Sequence, residues 1–195
     1  MPLNAPNILT IIRILIIPII VVVYFMPWRD SNEVVTFLFV LAAITDWLDG
    51  YLARKLDQGS PFGAFLDPVA DKLMVATALI LLASDVKVLD NVYSKVLFTI
   101  TASVIIGREI TISALREWMA GVGARSSVAV GMIGKVKTTM QMIAISLLLY
   151  YDPFRGLPIF KIGEVALYLS GALTLWSMFV YLRAAWPSLT EENTQ

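Results

Sequence analysis

What most constrains this chain is the recurrence of apolar runs, several of which approach the roughly 20 helical residues needed to cross a bilayer. They cover roughly Ile8–Met26, Glu33–Leu52, Val69–Leu82, Val92–Ile112, Met132–Tyr150 and Ile162–Tyr181. In lipid every backbone N–H and C=O must be satisfied within its own segment, so such runs become helices. The balance of residues agrees: 58% are hydrophobic and 15% charged, with mean hydropathy +0.76. A soluble domain needs a more charged surface. The expected fold is an all-α integral membrane protein. It is a bundle of six transmembrane helices with a short N-terminal juxtamembrane segment, forming one membrane domain over residues 1–195. The first run is read as a retained anchor, because similar runs recur and no small-x-small cleavage site follows it.

Fifteen basic and fifteen acidic residues leave no net charge, so nothing points to a nucleic-acid partner. Cys and His are both absent. That excludes disulfides, thiolate nucleophiles and imidazole bases, and leaves carboxylates, Lys, Arg, Tyr and hydroxyls to build a site. With six spans, ten of the fifteen basic residues share a side with both termini: Arg13, Arg54, Lys55, Lys72, Arg108, Arg116, Arg125, Lys135, Lys137 and Arg183. The positive-inside rule then puts both termini in the cytoplasm.

Against this apolar background, "TDWLDGYLARKLDQGSPFGAFLDPVADKL" gathers five aspartates between Thr45 and Leu73. On a helix turning about 100° per residue, Asp49, Gly50, Ala53 and Asp57 all fall within about 60° of Asp46. One face therefore carries carboxylates and small residues, which leaves room for a ligand or a close helix. Asp67 and Asp71 are four apart and stack if they share a helix. Pro68 allows two readings: a helix capped by Asp67 with Pro68 in its first turn, or a helix begun at Ser60–Pro61 and kinked by Pro68. "QGSPFG" supplies a turn, so the two helices can return antiparallel with their carboxylates face to face. Asp57 is read as a solvated loop carboxylate. The other four repel one another unless protonated, paired or clamped on cations. An all-oxygen set favours a hard divalent ion: Mg²⁺ over Zn²⁺, with room for two ions. An ionisable cluster at the membrane edge is functional by default.

Asp46, Asp49, Gly50, Ala53, Arg54, Gly63, Asp67 and Asp71 match D-x2-D-G-x2-A-R-x8-G-x3-D-x3-D without departure. This resembles the signature of the CDP-alcohol phosphatidyltransferase family. "PNILTIIR", "IIGREITISALREW" and "GKVKTT" are similar to the phosphatidylglycerophosphate branch of that family in bacteria. The resemblance implies a six-helix membrane enzyme, often homodimeric, that moves a phosphatidyl group from CDP-diacylglycerol to an alcohol and releases CMP. In that branch the alcohol is sn-glycerol 3-phosphate. It also implies that Asp46, Asp49, Asp67 and Asp71 surround the divalent ions (Mg²⁺, with Mn²⁺ as the alternative). Asp71 is the implied base. Asp49, Gly50, Ala53 and Arg54 receive the cytidine diphosphate group, and Gly63 gives close approach. The setting is the bacterial cytoplasmic membrane, crossed several times, with the site facing the cytoplasm.

The acceptor's phosphate needs cationic partners. Arg108, Arg116, Arg125, Lys135 and Lys137 cluster around the fourth connection, and an arginine fork matches phosphate oxygens. Arg108 and Arg125 lead, then Lys135, with Glu109 orienting an arginine by pairing. In the first run, Asn7 is expected to cap a helix. Arg13 either snorkels to the interface or faces the polar cavity and meets a phosphate. Trp28, Trp118 and Trp186 fit an interfacial belt, and the small residues of "YLSGALTLW" fit packing against a partner helix. Rival readings are a phosphatidyltransferase with another acceptor such as serine, a cation transporter with carboxylates in its pathway, and a noncatalytic scaffold. The last two leave the signature spacing without a cause.

Overall fold

The computed structural model describes residues 5–56, 61–121 and 132–190. Among them there are seven helices: α1 Ala5–Tyr24, α2 Ser31–Leu56, α3 Pro61–Ser84, α4 Val86–Asn91, α5 Lys95–Gly121, α6 Met132–Tyr150 and α7 Ile159–Thr190. Apart from one isolated bridge, Phe154–Leu157, the described residues form no β-structure. Each expected run coincides with one long helix, and α4 is an added short one. Windows long and apolar enough to cross a membrane occur in α1 (Asn7–Tyr24), α5 (Lys95–Met119) and α7 (Ile159–Arg183), and α6 adds a shorter apolar stretch, Val136–Tyr150. The described residues are thus all-helical, with three helices long and apolar enough to cross a membrane.

Two local expectations change. Helix α1 begins at Ala5, so Asn7 sits inside it, buried rather than capping its end. Helix α3 begins at Pro61, about two turns before the apolar run, and continues through Pro68. Pro61 suits the first turn because its missing N–H would have no partner there. The second reading of Pro68 therefore holds, and Asp67 and Asp71 share one helix. Elsewhere caps follow the sequence: Asp85 accepts from the Lys87 N–H at 2.8 Å to start α4. Ser94 Oγ accepts from the Leu97 N–H at the head of α5.

Helix α1 lies against α2 and α3, while α7 lies against α5 and α6. The main core joins Phe39, Leu79, Leu82, Phe98, Ile105 and Leu148 from four of the long helices. Large apolar side chains also cover the outside, among them Leu15, Phe37, Ile80, Ile100, Val165 and Phe179. Such a surface is tolerable only where lipid replaces water. The small residues of α7 are used within the chain. Ser170 and Thr174 are buried, and a Cβ on Gly171 would stand 2.7 Å from Thr101 Cγ2 of α5. At the end carrying the α1–α2 turn, Tyr24 donates to Asp85 at 2.9 Å and Asn91 bonds Tyr151. There Glu164, buried, accepts from the Tyr93 N–H at 2.6 Å, from the Tyr168 hydroxyl at 2.9 Å and from Lys161 at 3.0 Å.

Candidate active site

Helix α1 carries three buried polar residues, Asn7, Thr10 and Arg13, spaced by three in an otherwise apolar sequence. Residues three apart share a helix face, and here that face meets α2 and α3. Arg13 Nη1 donates to Asp46 Oδ1 of α2 at 2.8 Å and to Asp71 Oδ1 of α3 at 2.6 Å. One turn earlier, Thr10 Oγ1 donates to Asp67 Oδ1 at 2.5 Å. A buried guanidinium needs matched charge, and the two carboxylates supply it through their bonds to Nη1.

The aspartates of α2 and α3 therefore meet through α1 rather than directly face to face. Arg13 is fully buried, whereas the side chains of Asp46 and Asp71 remain 42% and 45% exposed. The pair is sealed on the α1 side and open on another. Among the described residues the carboxylates that converge on one point are Asp46 and Asp71, with Asp67 held one turn away and no group of three closing on a common centre. Carboxylate oxygens are the donors a hard divalent ion such as Mg²⁺ takes. The donor set and its open face thus fit a hard divalent cation. Asp49, Gly50, Ala53 and Arg54 occupy the last turns of α2, and their side chains lie outside the described residues. Gly63, in the first turn of α3, is buried.

A second cluster is built by α5, α6 and α7. Lys137 of α6 and Arg108 of α5 are both buried. They converge on Glu109 Oε1, at 2.5 Å from Lys137 Nζ and 3.1 Å from Arg108 Nη1. The expected pairing of Glu109 with an arginine is present, and it includes a lysine as well. Arg108 Nη2 also donates to Ser177 Oγ at 3.0 Å. The Tyr181 ring lies under two guanidinium groups, 5.6 Å from Arg108 and 5.1 Å from Arg116, and Arg116 Nη2 donates to its hydroxyl at 3.1 Å. Two cations thus share one carboxylate, and Arg116 joins Arg108 on the Tyr181 ring. Arg108 Nε and Arg116 Nε are buried without a hydrogen-bond partner. A buried unpaired donor is costly, and an anion entering the cluster would relieve that cost. Arg125 lies outside the described residues, and Lys135 is on α6 with its side chain outside them.

One contact ties the two clusters together. Lys72, the residue after Asp71, donates to Ser113 of α5, which lies between Arg108 and Arg116. Sequence reasoning assigned no role to Thr10, Lys72, Ser113, Ser177 or Tyr181, and left Arg13 between two readings. The usable signal was the three-residue spacing of Asn7, Thr10 and Arg13 in a lipid-compatible run. Contacts such as Lys72–Ser113 had none, because their partners are far apart in sequence.

Comparison with known proteins agrees with this geometry. Residues 3–176 match the CDP-alcohol phosphatidyltransferase family. A protein of Pectobacterium atrosepticum named CDP-diacylglycerol–glycerol-3-phosphate 3-phosphatidyltransferase is 50% identical over 98% of this chain and 100% of its own. Proteins of the same name from Yersinia enterocolitica, 49% identical over 98% of this chain and 100% of theirs, and from Pseudomonas fluorescens, 48% identical over 98% and 94%, are similarly close.

Proposed function

This chain belongs to the CDP-alcohol phosphatidyltransferase family, and from that premise we propose that it transfers the phosphatidyl group of CDP-diacylglycerol to sn-glycerol 3-phosphate, giving phosphatidylglycerophosphate and CMP. The observation that carries the reading is the meeting of signature aspartates from two helices at Arg13, linked by Lys72–Ser113 to a cluster with an excess of buried positive charge. A donor diphosphate and a phosphorylated acceptor need those two neighbours. A serine acceptor would bring no phosphate to the cationic cluster, and a transporter would not need the signature.

Asp46, Asp49, Asp67 and Asp71 would hold Mg²⁺ or Mn²⁺, as two ions if all four engage. Bound there, the metal neutralises charge developing on the transferring phosphoryl group and on the departing CMP. Asp71, at the open face, accepts the acceptor's hydroxyl proton as its oxygen attacks phosphorus. A free aspartate is a weak base, so its position contributes more than its basicity. Gly50, Ala53, Arg54 and Gly63 receive the cytidine diphosphate. Arg108, Arg116 and Lys137 bind the acceptor phosphate, with Arg125 and Lys135 completing the set. Their donors are fixed before substrate arrives, which favours electrostatic stabilisation. The acyl chains stay in the bilayer while the head group enters the cavity. Helices α1, α2, α3, α5, α6 and α7 make six spans of a bacterial inner-membrane protein. Both termini and the site face the cytoplasm, a reading supported by the positive-inside bias of the sequence. The homodimer is supported by the family resemblance.

The test is CMP release by the purified protein given CDP-diacylglycerol, Mg²⁺ and a panel of alcohols. Release with glycerol 3-phosphate, little with serine or inositol, and loss in Asp71→Asn are expected. Preference for serine would overturn the acceptor assignment. Release surviving replacement of Asp46, Asp49, Asp67 and Asp71 together by Asn would overturn the site.

A further inference from the structure

A guanidinium sealed inside the first helix bundle occupies the point on which the aspartate oxygens converge. Its Nη1 touches Asp46 and Asp71 at once, and a divalent cation shared by those carboxylates would need the same oxygens. Two cations cannot hold one such position, because at contact distance no salt comes between them to screen their repulsion. We propose that Arg13 is a resident counter-ion and positioning residue: it holds Asp46 and Asp71 together while metal is absent, and it competes with the divalent cation for their oxygens.

Three observations support the exchange. The two carboxylates are about half exposed while Arg13 is not exposed at all, so an ion can approach from the open face without crossing α1. Asp67 is held by a neutral hydroxyl, Thr10, so one signature carboxylate keeps an anchor that metal entry does not repel. Arg13 reaches both carboxylates through one nitrogen, Nη1, so displacing that nitrogen frees both oxygens together. Removing the guanidinium leaves the carboxylates to repel each other in the metal-free protein and removes a competitor in the metal-loaded one. The effects on metal-free stability and on metal affinity therefore have opposite signs.

The inference rests on the metal-binding reading proposed above. The test uses the full chain in lipid nanodiscs, with Mn²⁺ binding followed by electron paramagnetic resonance and thermal unfolding followed in chelator and in Mn²⁺. Arg13→Gln is expected to bind Mn²⁺ at least about tenfold tighter than the unaltered protein, a difference easily resolved in a titration. Arg13→Lys, with a point charge in place of the planar fork, should fall between them. Both variants should unfold at lower temperature in chelator and recover most of the loss in Mn²⁺. An arginine with only a structural role would not raise metal affinity. Equal or weaker Mn²⁺ binding in Arg13→Gln overturns the inference, as does a loss of fold in both variants that Mn²⁺ does not restore. Failure of every form, including the unaltered protein, to bind Mn²⁺ would overturn the metal reading itself. Binding by the unaltered protein without tightening in the variant overturns only the role of Arg13.

Discussion

At the scale of single residues, charge matching explains more than charge count. Arg108 is buried yet has one hydrogen-bond donor, Nε, without a partner. A phosphate oxygen there would add a charge-assisted bond of roughly 1.5–3 kcal/mol. Arg108→Gln is therefore expected to raise KM for glycerol 3-phosphate by about 10- to 150-fold, the ratio that such energies produce. KM for CDP-diacylglycerol should change little. Steady-state kinetics with each substrate varied in turn checks this split, and an equal rise for both would remove Arg108 from the acceptor subsite. The signature aspartates were legible because their spacing is local. Arg13 was ambiguous, since an arginine one turn inside a run can snorkel or turn inward, and only its partners on α2 and α3 decide. Lys137, placed behind Arg108, Arg125 and Lys135 among the expected cations, is in the structure one of the most deeply buried. Its counter-ion Glu109 lies 28 residues away on another helix.

At the scale of helices, close approach and capping govern stability. Gly171 lets α7 seat against Thr101 of α5, where an added Cβ would come within 2.7 Å of Thr101 Cγ2. Thr101 cannot easily turn aside, because its hydroxyl bonds the Leu97 carbonyl at 2.8 Å and a β-branched side chain is stiff. Gly171→Val should destabilise the protein by about 1–3 kcal/mol, as overpacking does, and lower the midpoint of thermal unfolding in detergent. About two turns earlier on the same helix, Glu164→Ala removes the acceptor of the Tyr93 N–H. It should cost about 1–3 kcal/mol, the penalty for a stranded buried donor. A thermal midpoint left unchanged in either variant would contradict the packing described. These contacts show what "YLSGALTLW" left open: small residues mark a close helix without saying whose helix it is. The extra turns of α3 stayed one of two readings for a related reason. Pro68 is a strong stop signal in isolation, and the packing of α1 on α3 carries the helix through it.

At the scale of the molecule, three polar contacts gather the α1–α2 turn, α4 and the α6–α7 connection at one end: Tyr24–Asp85, Asn91–Tyr151 and Lys161 with the Asn91 carbonyl. The chain has no cysteine, so single cysteines report without background. Trp28→Cys, Tyr93→Cys and Phe154→Cys, all at exposed positions, should be labelled together by a membrane-impermeant maleimide added outside intact cells. Labelling of only one or two of them would overturn the six-span arrangement. By itself the sequence determined that the chain is helical with runs apolar enough to cross a membrane, and it singled out a set of aspartates and cations as candidates for its chemistry. Those properties follow from apolar run length and from residue type at short spacing, both of which are local. Tertiary structure alone decided that the first helix supplies the counter-ion between the aspartates, that Glu109 gathers cations from two helices, and that α7 turns its small residues inward. Each is a pairing across tens of residues in a low-dielectric interior, where a buried charge must find its partner and the partner is chosen by helix packing.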